Sequence, residues 1–209
     1  MRPAGIAAVV IASLASLMIA PYARASSTKP VCLRALDDLG VRYDRVDREG
    51  IELGVRVRGD IGGVEYAAYH DADLVLDCSL VYSLARAGAV LRAHGIERAT
   101  YSSAYDRRNI RGSNRPSSHS FGLAIDVHEY DGDRPGLLRV EDDYEQGLGS
   151  DEDCLGRPLT EGGAILRSVH CRLEHSELFR FILSPDFDAH HFNHFHIEAE
   201  PWSEREDVR

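Results

Sequence analysis

The seven residues Gly122-Leu123-Ala124-Ile125-Asp126-Val127-His128 constrain this chain more than any other stretch. In an extended segment side chains alternate between two faces, so Leu123, Ile125 and Val127 share one. Gly122, Ala124, Asp126 and His128 share the other. The apolar face must back onto a core, while the opposite face sets small residues beside a carboxylate and an imidazole. That is how a strand would floor a cleft. The segment Asn193-His194-Phe195-His196-Ile197-Glu198 repeats the arrangement near the C-terminus. Phe195 and Ile197 point to the core, and His194 and His196 share the other face, roughly 7 Å apart. That spacing lets one bind a metal while the other contacts water or substrate.

If the two segments lie side by side, His119, Asp126 and one histidine of the pair converge. Two imidazoles and a carboxylate suit zinc with an open fourth position, the mark of a catalytic site. Other histidines have plainer readings. His190 reads as a loop residue and His128 as a hydrogen-bonded neighbour of the site. His70, His94, His170 and His175 have no partner pattern. The acidic run from Glu141 to Glu145, with Asp151, Glu152 and Asp153, lacks calcium-loop spacing and reads as solvated loop.

Residues 1–25 read as a removable leader: Met1-Arg2, an apolar run from Ala4 to Ala20, and Ala23-Arg24-Ala25 as the cleavage pattern. A retained anchor is the rival reading. Removal leaves one domain over 26–209, periplasmic or secreted, with no later membrane segment. Cys32, Cys78, Cys154 and Cys171 contain no Cys-x-x-Cys pair, and four cysteines in an oxidising compartment imply two disulfides with three possible connectivities. Cys32–Cys78 with Cys154–Cys171 is expected, because each pair would close a loop between neighbouring elements. The net charge is −10, and near −12 without the leader's two arginines. Such a surface repels nucleic-acid phosphates and anionic lipid.

The pattern predicts a short helix over 31–39, strands over 41–46, 51–57 and 64–69, and a helix over 79–94 ended by Gly95. A strand over 99–105 and a polar, Arg-rich loop from Asp106 to Ser118 follow. Residues 129–160 read as a long surface excursion covering one side of the cleft. Helices are expected over 161–172 and 174–183. The fold class is α+β, with a mostly antiparallel central sheet carrying the zinc ligands and helices packed on its other face.

The stretch Ser117-Ser118-His119-Ser120-Phe121-Gly122-Leu123-Ala124-Ile125-Asp126 fits Ser-x-His-x-x-Gly-x-Ala-x-Asp, and His194-Phe195-His196 fits His-x-His. Both resemble motifs of the superfamily holding D-Ala-D-Ala metallopeptidases, penicillin-insensitive murein endopeptidases and the hedgehog fold. Within it the chain most resembles the extensin-like C-terminal family of exported bacterial proteins. The likeness lies in Cys32-x-x-x-Leu36, in Cys78 opening a helix, and in the Ser-Pro and His191-x-x-His194-x-His196 ending. It covers nearly all of 31–200.

The resemblance implies a hedgehog/DD-peptidase-like fold, zinc as cofactor, and His119, Asp126 and His196 as its ligands. It also implies that His194 is a catalytic side chain beside the metal. Many relatives place a basic glutamate where this chain has His191, so His191 and His194 are both candidates for the base. Relatives grip a substrate carboxylate with an arginine upstream; Arg108 fits that place, with Arg107 the near alternative. The implied activity is hydrolysis of an amide bond in peptidoglycan peptides. The alternatives are a non-catalytic, zinc-containing cell-envelope binding module on the same fold and an envelope structural protein without zinc.

Overall fold

The computed structural model describes residues 29–148 and 154–204, so the expected leader over 1–25, the acids Asp151, Glu152 and Asp153, and the last five residues lie outside the described residues. The first helix, α1 (Val31–Asp38), buries Cys32, Leu33 and Leu36. Strands β1 (Tyr43–Arg45), β2 (Gly54–Val57) and β4 (Val75–Asp77) form a small antiparallel sheet in the order β1-β2-β4. This second sheet, and β4 itself, lie outside the sequence expectation of one central sheet. The run Leu74–Asp77 is too short to show a period of its own.

Helix α2 (Cys78–Ala93) begins directly after β4, and the Asp77 side chain caps it by accepting the Ser79 N–H at 2.8 Å. The other Asp77 oxygen accepts the Leu53 N–H at 2.9 Å, which ties the helix start to the small sheet. Cys32–Cys78 joins α1 to α2, and Cys154–Cys171 closes the second pair as expected.

The larger sheet runs β3 (Glu65–Ala68), β5 (Arg98–Ser103), β6 (Ala124–Asp131), β9 (Phe195–Glu198) and β8 (Phe181–Leu183), with β7 (Leu138–Arg139) paired to the far part of β6. Only β3 and β5 are parallel; the other pairs are antiparallel. The α+β expectation holds at this level: the described residues form four α-helices and two mostly antiparallel sheets. Ile125, Val127, Phe195 and Ile197 are buried in one core with Leu80 and Leu84 of α2 and Leu166 and Val169 of α4 (Glu161–Glu174). That core covers the face of the sheet opposite Asp126 and His196.

Two expectations fail. Residues 174–183 are not a helix: α4 ends at Glu174, the chain turns through Glu177 at φ 57°, and Phe181–Leu183 pairs with β9 as the sheet's edge. A short apolar run reads equally as helix or strand until a partner strand selects it. Nor are 129–160 a surface excursion over the cleft. The segment extends β6, forms β7 and the single-turn helix α3 (Val140–Asp143), and buries Leu138, Val140 and Tyr144. Tyr144 meets Phe195 edge-on at 5.6 Å, so it packs behind the sheet rather than over the cleft.

Candidate metal centre

Asp126 and His196 occupy directly paired positions on β6 and β9, so the sheet itself sets their separation. His196 Nδ1 lies 2.8 Å from Asp126 Oδ1. His119 arrives from outside the sheet, on a 3-10 turn over Ser118–Phe121. Gly122 ends that turn at φ 66°, where a Cβ would stand 2.7 Å from the Asp77 backbone nitrogen. Only glycine fits both the left-handed conformation and the close approach. The turn delivers His119 Nε2 to 3.2 Å from Asp126 Oδ1 and 3.3 Å from His196 Nδ1. One ligand atom from each residue lies within 4.8 Å of the other two.

The groups behind these three make the donor set fit a metal. His119, fully buried, places Nδ1 2.7 Å from the Ala104 carbonyl, to which it must donate, leaving the Nε2 lone pair facing inwards. His196 turns Nε2 to the buried Glu198 carboxylate at 3.5 Å, which leaves Nδ1 facing inwards. A carboxylate or carbonyl behind each ligating imidazole fixes its tautomer and orientation. Once the His196 proton is given up, two imidazole nitrogens and a carboxylate oxygen thus point at one place.

The electrostatics agree. Burial would raise the Asp126 carboxyl, but the imidazoles of His119 and His196 beside it outweigh burial and hold the group far below the usual carboxylate range. Burial lowers His196, yet its contacts with Asp126 and Glu198 lift it to about 9. Burial also opposes the charge on Glu198, which its partners His196, Ser118 and Arg180 nevertheless hold low. His194 moves the other way. Burial, with neighbouring His128, His191 and His196, pushes it down to about 4 against the pull of Asp126, so it is neutral at pH 7.

His194 Nε2 stands 3.6 Å from Asp126 Oδ1, with Nδ1 2.9 Å from Asn193 Oδ1. The His191 ring lies 5.2 Å from that of His194 and 5.9 Å from that of His196. Its Nδ1–H donates to Asp188 Oδ1 at 2.7 Å. Arg108 reaches Asp126 Oδ2 at 3.3 Å, whereas Arg107 turns away to pair with Glu49. His128 is hydrogen-bonded to Ser102 Oγ at 2.7 Å and packs on His194, in line with a neighbour's role. His94 and His170 bond to backbone and serine groups elsewhere. Cys154, His170 and Cys171 form a second ligand-like group, but both sulfurs are consumed by the disulfide, so it offers no thiolates.

The model of the extensin-like protein C-terminus matches residues 31–207, which include every residue of this centre. The chain belongs to the extensin-like C-terminal family. No curated protein and no solved structure matches it.

In this family member, sequence reasoning overlooked two residues. Glu198 lies two positions beyond His196 on the same strand face, so the alternation that singled out the His-x-His pair already pointed to it. Asp188 precedes His191 by three residues, a spacing that one turn of loop can close.

Proposed function

We propose that this chain is an exported zinc-dependent hydrolase that cleaves an amide bond in peptidoglycan peptides, of the DD-carboxypeptidase or endopeptidase type. One observation carries the reading: the His119/Asp126/His196 set shares its face with His191 and His194, which a purely structural metal site would not need. Zinc bound there would supply Lewis acidity, polarising a carbonyl and acidifying water. The rest is work for the chain's own side chains. His191, with Nδ1–H held by Asp188, keeps Nε2 as an acceptor for a proton from water and can return it to the leaving amine. His194, neutral and close to Asp126, is the second candidate for that transfer. Arg108, at the edge of the centre, can orient a substrate carboxylate through its planar guanidinium. Two disulfides support an extracytoplasmic setting. No helix among the described residues is long and apolar enough to cross a membrane.

The test is incubation of zinc-loaded protein with muropeptides, products being read by mass spectrometry. Cleavage abolished by a chelator and by His191→Ala or His194→Ala supports the reading. Stoichiometric zinc without turnover points to a binding module on the same fold, and a folded protein that takes up no zinc leaves neither.

A further inference from the structure

Two hollows lined by neighbours of the metal ligands, Arg108 in one and Glu198 in the other, share Gly50, Pro116 and Phe121 as a common wall. The smaller, about 360 Å³, contains Arg107 and Arg108. The larger, about 600 Å³, contains Arg115 and Arg180 instead. Its lining includes Glu198, which faces His196, and Phe181, whose ring stacks 6.2 Å from that of His196. A volume of this size admits a few residues of peptide.

The charges around it run against the rest of the molecule. The chain carries a net −10, yet residues 107–115 hold four arginines and no acid. Arg108 is engaged by Asp106 and Asp126, and Arg180 by Glu198. The Arg115 guanidinium is exposed and has no side-chain partner among the described residues. Of the acids in the larger hollow, Asp77 is committed to the Leu53 and Ser79 N–H groups and Glu198 to Arg180 and His196. Only Glu52, which is exposed, has no partner among the described residues. The side chains of Ile110, Phe121 and Phe181 give the same hollow apolar walls. A free guanidinium over apolar walls suits a carboxylate on a short hydrocarbon stem.

We propose that the larger hollow is a second carboxylate subsite, so that the ligand is an acidic peptide with one carboxylate at Arg108 and another at Arg115. The inference rests on the reading of the centre as a peptide site, but it needs no turnover.

Binding tests it directly. The zinc-loaded full chain is titrated by calorimetry with acetyl-Ala-Glu-Ala-Ala and with acetyl-Ala-Gln-Ala-Ala, both with free C-termini, peptide integrity being followed by mass spectrometry. The wild type should prefer the glutamate peptide by about tenfold, the scale of one charge-assisted contact. In Arg115→Gln the preference should fall to about one. Arg92→Gln, in a separate depression beside Arg42, should keep it. Equal binding of the two peptides by wild type, or a preference that survives Arg115→Gln, overturns the proposal. Failure to cleave any peptide, with the Arg115-dependent preference intact, would count against the hydrolase reading alone.

Discussion

His196 and Asp126 face each other across the β6–β9 ladder, and Nδ1 of one lies 2.8 Å from Oδ1 of the other. Because backbone pairing sets this distance, two of the three candidate ligands are pre-positioned by the most rigid part of the fold. His119 alone depends on a turn, and Gly122 and the Ala104 carbonyl hold that turn's histidine in place.

His119→Ala and Asp126→Asn should each leave zinc well below one equivalent per chain after dialysis, measured by elemental analysis. Each removes a direct ligand, so the loss should exceed the 10–100-fold typical of an outer partner. Near-stoichiometric zinc in either variant would dismantle the assigned ligand set.

Glu198→Gln should lower zinc affinity by about 10–100-fold without unfolding the chain, because the carboxylate behind His196 fixes its tautomer and raises its basicity. Competition against a chromogenic chelator gives the affinity, and circular dichroism checks the fold. An unchanged affinity would mean that His196 needs no help in presenting Nδ1.

The pH dependence follows from His196. In the metal-free protein its folded value, about 9, lies above the unfolded imidazole value of about 6.5. Its contribution to stability is therefore complete below about 6.5 and is lost as pH rises through 9. Asp126, held low, contributes above its unfolded value and loses that contribution on acidification. Zinc must displace the His196 proton, so zinc affinity should rise by about tenfold per pH unit from 6.5 to 9 and then level off. Metal-free protein should meanwhile become easier to denature over the same interval. Titrations at matched ionic strength check both slopes; a flat zinc affinity there contradicts the protonated His196–Asp126 pair.

The two disulfides differ in loop length, 46 and 17 residues apart in sequence. Loop-closure entropy gives about 4 kcal/mol for Cys32–Cys78 and about 3 kcal/mol for Cys154–Cys171. Paired serine substitutions followed by urea denaturation measure each. Since Cys32 and Cys78 are fully buried, their removal should also cost packing and be the more damaging. The reverse order would show that the long loop is already restrained without its bridge.

His191→Ala and His194→Ala should both retain zinc. The one that supplies the base should lose about 10²–10⁴ in kcat on muropeptides. If that residue is His191, Asp188→Asn should produce a smaller fall and shift the pH–rate profile, because Asp188 acts only by holding Nδ1. Unaltered turnover in both alanine variants would remove imidazole from the proton transfer.

Much of the site was legible in the chain. Asp126 and His196 each sit in a stretch of period-two alternation that the strand geometry preserves, and His119 lies seven residues before Asp126 in a recognisable motif. Glu198 follows from the same alternation, two residues beyond His196 on β9. The helix expected over 174–183 fails because Phe181–Leu183 is too short to carry a period, and its partnership with β9 alone makes it a strand. Residues 138–144 read as an acidic excursion because Leu138, Val140 and Tyr144 are spaced among charges that face solvent.

The amino-acid order by itself determined which residues share a face, where the chain turns, and which side chains could ligate a metal. These are local matters of side-chain alternation and backbone sterics. Tertiary structure alone decided that Asp126 pairs with His196 rather than with a neighbour one residue away, and that Phe181 and Glu198 stand beside the centre. It also decided that Arg108 and Arg115 open into different hollows. Register and neighbourhood are set by how Ile125, Val127, Phe195 and Ile197 pack on α2 and α4, a burial shared among residues far apart in the chain.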